Sequence, residues 1–207
     1  ARIVKVFSKS QGIQSFYVGA NKKKELFSYF QPLNLISYTY SKNSKSNLFT
    51  FKEINASHTL NEMYSDVKKT SVVFFITEIL LGTIREEEQN LDVFEYLVNL
   101  INELDRTNNP TIIPVNFLIQ WSVLIGIQPL LQSGQYFNIQ AGELQNNFDA
   151  VCCISEEETA YLIDAYQGKI ITSSSNKSRR NLLNTLIKYY SYHLPDFKAP
   201  KSLEVIK

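Results

Sequence analysis

LNLISYTYSKNSKSNLFTFKEI, residues 33–54, sets two arms rich in aromatic and β-branched residues on either side of the wholly polar SKNSKSN at 41–47. Such side chains suit a pleated, half-buried surface, and Ser and Asn favour turns because their side chains hydrogen-bond the neighbouring backbone. The stretch therefore reads as a β-hairpin with residues 41–47 as its connection. Toward the amino terminus the pattern continues, with RIVKVF at 2–7 and IQSFYVG at 13–19 separated by the turn-forming SKSQG at 8–12. Several short strands at this spacing predict a small barrel or sandwich.

Toward the carboxyl terminus the period becomes helical from Asn61. Val72, Phe75, Ile76, Ile79 and Leu80 recur at helical spacing, and Val73 and Phe74 make this helix apolar nearly all round, which predicts a central place in a helical core. Asn90 is placed to cap a second helix with the stripe Phe94, Leu97, Val98, Ile101 and Leu104, which NNPTIIP at 108–114 ends. A third helix follows Pro114 through Phe117, Leu118, Trp121, Leu124 and Ile125, and stops near Gly126 with Pro129 beyond. Ser155 and Glu158 form an S-x-x-E capping box for a fourth, and a last helix after SSSNKS carries Leu182, Leu183, Leu186, Ile187 and Tyr190. The expected class is α+β, with a β-barrel domain over residues 1–58 and a helical domain over 59–207.

At 207 residues, 44% hydrophobic and 20% charged, the chain can bury a sizeable core in one or two domains. No apolar run reaches the roughly 18–20 residues that cross a bilayer. The best candidate, 72–81, is broken by Thr77 and Glu78, and no secretory leader pattern opens the sequence. It begins on Ala1 and runs straight into a strand, so a true amino terminus ahead of Ala1 is expected. Cys152 and Cys153 are adjacent and poorly placed to bridge each other, which favours a reduced, cytoplasmic setting.

Charge is strongly segregated under a net of +1. Residues 1–58 hold nine Lys/Arg against two Asp/Glu, residues 59–158 four against fifteen, and residues 159–207 eight against three. A basic amino-terminal segment predicts a polyanionic partner. Three consecutive lysines, Lys22, Lys23 and Lys24, lie on one short connection there, and read either as a solubilising tip or as a phosphate-binding loop.

Catalytic and cofactor motifs are missing. His58 and His193 stand far apart with no nucleophile-base neighbourhood, and neither a P-loop nor a G-x-G-x-x-G occurs. The adjacent Glu86, Glu87 and Glu88 at a helix end point in different directions and read as a solvated run. Cys152 and Cys153 lack the C-x-x-C spacing by which two thiolates reach one zinc. We therefore expect a non-enzymatic binding protein with no catalytic residues, no metal and no cofactor.

Five stretches, in order, carry a family resemblance: ARIVKVFSKSQG with FYVGANKKK, YFQPLNLISY, SVVFFITEILLGTIREEEQNLDVFEYL, LIQWSVLIGIQP, and YYSYHLPDFKAPKSLEVI. The chain resembles the RecO family of bacterial recombination mediators along nearly its whole length. The resemblance implies an OB-fold β-barrel followed by a helical domain, with a further strand ahead of Ala1. It implies a protein of the RecFOR pathway that binds single- and double-stranded DNA, anneals complementary strands and helps RecA load at gaps. Its implied partners are RecR and the C-terminal tail of single-stranded DNA-binding protein, with RecA and RecF engaged indirectly and no membrane, in a cytoplasmic, nucleoid-associated setting. Many relatives carry a four-cysteine zinc module after the segment matching LIGIQP, whereas residues 130–160 here hold only Cys152 and Cys153, so the chain resembles a zinc-less member with a non-zinc insertion near 130–155. Asn21 stands where the family usually has arginine, and Lys22, Lys23 and Lys24 can compensate for that lost phosphate contact.

OB-folds hold a strand through a basic groove and through rings on which bases stack. The candidate DNA-binding cations are Arg2, Lys5, Lys9, Lys22, Lys23, Lys24, Lys42 and Lys45. The candidate rings are Phe16, Tyr17, Tyr38, Tyr40, Phe49 and Phe51, of which at least half must fill the interior of so small a barrel. Lys177, Arg179 and Arg180, at the start of the last helix, oppose the helix dipole and form a candidate second basic contact. The competing readings are a protein-only adaptor, in which the lysines merely solubilise, and a nuclease built on acidic residues.

Overall fold

Seven residues of alternating pattern, then a turn, then seven more: this is how the chain begins in a computed structural model that describes residues 2–19, 28–42, 48–57, 60, 62–84, 89–169 and 175–206. β1 (Arg2–Ser8) and β2 (Gly12–Val18) pair antiparallel from Arg2 opposite Val18 to Ser8 opposite Gly12. The turn closes on Gly12, whose φ of 63° lies in the left-handed region that a side chain disfavours. β3 (Ile36–Lys42) and β4 (Phe49–Ala56) form the hairpin expected from residues 33–54, but β3 continues through Ser41 and Lys42, read from the sequence as connection, because they pair with Thr50 and Phe49; residues 43–47 lie outside the described residues. β4 joins β2 in parallel, with Phe16 opposite Phe49, so the sheet order is β1-β2-β4-β3. Between Thr39 and Tyr40 the register shifts, because Thr39 pairs with Glu53 and Tyr40 with Phe51, leaving Lys52 as the extra residue of a bulge.

The core of this sheet is aromatic. Phe16, Val18 and Phe51 are buried, with Val4, Val6, Phe30, Ile36, Tyr38, Phe49 and Ile54 packed around them. The Phe16 and Phe51 rings stack at 4.1 Å, and Tyr38 meets both edge-on. Burial raises the pKa of the Tyr38 phenol, so it stays neutral within this cluster.

Contacts divide the chain into two compact units, residues 1–77 with 84–107, and residues 78–83 with 108–207. In the first unit, α1 (Val67–Thr83) begins where Asp66 Oδ1 accepts from the backbone N–H of Lys68 at 2.7 Å and of Lys69 at 2.9 Å. Those bonds lower the Asp66 pKa, the Lys69 N–H first. α1 buries Val72, Val73, Phe75, Ile76, Ile79 and Leu80. Phe74 is 48% exposed and Val67 and Leu81 are exposed too, so α1 is not enclosed all round as its composition suggested. Apolar composition alone does not say which side of a helix its neighbours leave open. α2 (Leu91–Arg106) is capped by Asn90, whose Oδ1 accepts from Val93 N at 3.0 Å. Its ring of Phe94 lies 6.2 Å from Phe7 of β1.

In the second unit a 3-10 turn at Pro110–Ile112 leads into α3 (Ile113–Leu124), and Gly126 follows at a φ of 75°. β5 (Tyr136–Asn138) and β6 (Glu143–Gln145) make a small antiparallel hairpin. α4 (Glu156–Tyr166) is capped by Ser155, whose Oγ accepts from Glu158 N at 3.2 Å, as the S-x-x-E spacing predicts. α5 (Asn176–His193) starts after Ser175, and Tyr190 of this helix donates from its hydroxyl to the Leu118 carbonyl at 2.6 Å. A single turn, α6 (Leu203–Ile206), follows, where Glu78 Oε2 accepts from the backbone N–H groups of Lys201 and Ser202. The architecture is α+β, β-rich first and mainly helical afterwards.

Candidate nucleic-acid interface

The four strands of the large sheet carry Arg2, Lys5, Lys42 and Lys52 against one acid, Glu53. Arg2 opens β1 and Lys42 closes β3, both exposed. Lys5 is exposed in the middle of β1, and cross-strand pairing puts it opposite Ser15. Lys9, in the turn after β1, lies 3.8 Å from Glu95 with both side chains more than half exposed. An ion pair so hydrated contributes at most about 1 kcal/mol and leaves Lys9 able to exchange partners. Lys22, Lys23, Lys24 and Lys45 lie outside the described residues, as do His58 and the glutamates at 86–88.

Sequence reasoning missed Lys52, since nothing local marks a bulge that turns Lys52 and Glu53 outward together. Lys69, by contrast, is removed from any surface role. Its side chain is buried, with Nζ donating to Glu62 Oε2 at 2.8 Å and to the Asp105 carbonyl at 2.7 Å. Five of the six candidate rings pack against one another: Phe16, Tyr38, Tyr40, Phe49 and Phe51. Tyr17 stands apart, 45% exposed on the opposite face of β2.

In the second unit Lys177 and Arg180 are exposed in the first turns of α5, and the Arg179 guanidinium bonds to the Asn176 side chain. Cys152 and Cys153 are half-buried thiols, and Cys153 Sγ accepts from Gln145 Nε2 at 3.1 Å. Loss of water, then Asp149 and Cys153, push the Cys152 pKa up to about 11. Among the described residues no three His, Cys, Asp or Glu side chains are grouped to hold a metal ion, and no helix is long and apolar enough to cross a membrane.

These features define an α+β protein with a cation-rich, mixed β-sheet at its start and a helical unit after it. The family described as Recombination protein O C terminal matches residues 64–204, and the chain belongs to the RecO family. It is 33% identical over 215 residues to the DNA repair protein RecO of Flavobacterium psychrophilum, and 30% identical over 214 residues to that of Flavobacterium johnsoniae, each alignment covering 99% of this chain and 90% of the relative. The DNA repair protein RecO of Phocaeicola vulgatus is 26% identical over 219 residues, which cover 100% of this chain and 91% of the relative.

Proposed function

We propose that this protein is a non-catalytic DNA repair mediator of the RecFOR pathway, which binds single- and double-stranded DNA, anneals complementary strands and assists RecA loading on gaps coated with single-stranded DNA-binding protein. The observation that carries the reading is the charge of the amino-terminal segment, nine Lys/Arg against two Asp/Glu over residues 1–58, in a chain of the RecO family whose strands present Arg2, Lys5, Lys42 and Lys52. Lysines hold phosphates chiefly by releasing condensed counterions, a sequence-independent attraction that suits a protein acting wherever a gap occurs. Holding two strands on one cationic surface also lowers their mutual repulsion, which is the electrostatic barrier to annealing. The partners that accompany this role are RecR and the C-terminal tail of single-stranded DNA-binding protein, with RecA and RecF engaged through them.

Salt titration of binding to a labelled single-stranded oligonucleotide tests the reading. A steep linear fall of log affinity with log salt is expected, and absence of binding at low salt would leave the protein-only adaptor. Incubation of pure protein with DNA and magnesium is expected to leave the DNA intact, and cleavage would overturn the non-catalytic assignment.

A further inference from the structure

Among the described residues, the outer face of the large sheet carries two rings outside the aromatic core, Phe7 of β1, which packs against Phe94 of α2, and Tyr17 of β2, which is 45% exposed. Along β2, Gln14, Phe16 and Val18 turn inward, and Ile13, Ser15 and Tyr17 alternate to the other side. Register places Tyr17 opposite Ile3, which is 64% exposed, and diagonal to Lys5 on β1, a separation of about 7–8 Å in an antiparallel pair. On the other flank the parallel pairing of Phe16 with Phe49 sets Thr50 beside Tyr17, with Lys52 next along at the bulge. Gly19 adds no side chain against the ring, since even a Cβ there would only reach ordinary contact with Tyr17 Cε1 at 3.8 Å. An open aromatic ring is thus flanked by a cation on each neighbouring strand.

A duplex keeps its bases stacked on one another and offers only their edges, whereas a single strand can present a base face to such a ring while its phosphates reach lysines on either side. We infer that Tyr17 is a base-stacking residue for a single strand of nucleic acid laid across the outer face of β1, β2 and β4, with Lys5 and Lys52 at its phosphates. This rests on the DNA-binding reading above and names the contact that distinguishes single from double strands. Complementarity of charge supports that occupant, since Glu53 is the one acid among these strands.

The test compares fluorescein-labelled oligothymidine with an abasic strand of equal length and charge, by anisotropy, for the parent, Tyr17→Ala and Tyr17→Phe. The parent is expected to prefer oligothymidine. Tyr17→Ala weakens oligothymidine binding roughly 5- to 150-fold, the range for one lost base stack, with the abasic affinity and salt slope unchanged. Tyr17→Phe retains the preference. Equal weakening of both strands, or no weakening, overturns the role of Tyr17 while leaving DNA binding by the lysines standing. A parent that binds neither strand at low salt defeats both.

Discussion

Lys69 donates from its buried Nζ to the main-chain carbonyl of Asp105 at 2.7 Å, tying the first turn of α1 to the last turn of α2. The Asp105 side chain completes the tie, its Oδ1 accepting from the backbone N–H of Glu62 at 2.9 Å and of Met63 at 2.8 Å. Asp105→Ala removes the acceptor of both donors, and a loss of about 3 kcal/mol is expected. Asp105→Asn keeps an oxygen there and should cost about 1 kcal/mol. Urea unfolding midpoints check the pair, and an unshifted midpoint for Asp105→Ala would show that the network contributes nothing net.

Gly142 and Gly168 both adopt left-handed φ, 75° and 70°. A Cβ at Gly168 meets nothing within 4 Å, whereas one at Gly142 would lie 2.9 Å from His193 Cε1 and 3.3 Å from the Tyr189 hydroxyl. Gly168→Ala should therefore cost only the backbone term, about 1–2 kcal/mol. Gly142→Ala should lower the melting temperature further, because it also displaces His193 from its 3.0 Å contact with the Ile139 carbonyl. Equal melting temperatures for the two variants would contradict this packing.

Asp66 caps α1, and its depressed pKa has a definite consequence for acid stability. With the folded pKa below the unfolded value of about 3.9, the unfolded chain binds more protons between the two, so stability rises with pH there. The contribution is complete above the unfolded pKa and is lost as pH falls through the folded pKa. Denaturation followed from neutral to acid pH should show a shallower acid loss in Asp66→Asn than in the parent, and an identical slope would remove Asp66 from the account.

Replacing Lys22, Lys23 and Lys24 together with alanine should change stability by less than about 0.5 kcal/mol per site. Affinity for DNA should fall for all sequences, with the salt slope shrinking by up to about 0.7 for each lysine that contacts a single strand. Annealing should fall in parallel. A triple variant that binds and anneals like the parent would direct the search to Lys177, Arg179 and Arg180.

Glu53→Gln removes the one carboxylate among the strands of the sheet. Binding of a single strand should tighten at low salt, and the gain should vanish at high salt because an exposed charge is screened. Titrations at two ionic strengths decide it, and weaker binding would mean that Glu53 itself contacts the ligand.

What the amino-acid sequence determined by itself is what depends on residues a few positions apart. The existence of four strands, read as 2–7, 13–19 and the two arms of 33–54, and the caps made by Asn90 and Ser155, follow from residue type and turn chemistry and from oxygens that reach a backbone N–H three residues on. The excess of cations over residues 1–58 was equally legible, being a count. The faces were not. Which of the six candidate rings fill the sheet and which one stays outside is settled by the pairing of β2 with β1 and β4, and the outward turn of Lys52 by a one-residue bulge against β3. α2 buries Val93 and Leu100 as well as the expected Leu97, Ile101 and Leu104, and Lys69 is buried because residues 62 and 105 supply its acceptors. Such contacts join positions far apart in the chain, and their energy exists only once folding has brought the partners together, so no local pattern encodes them.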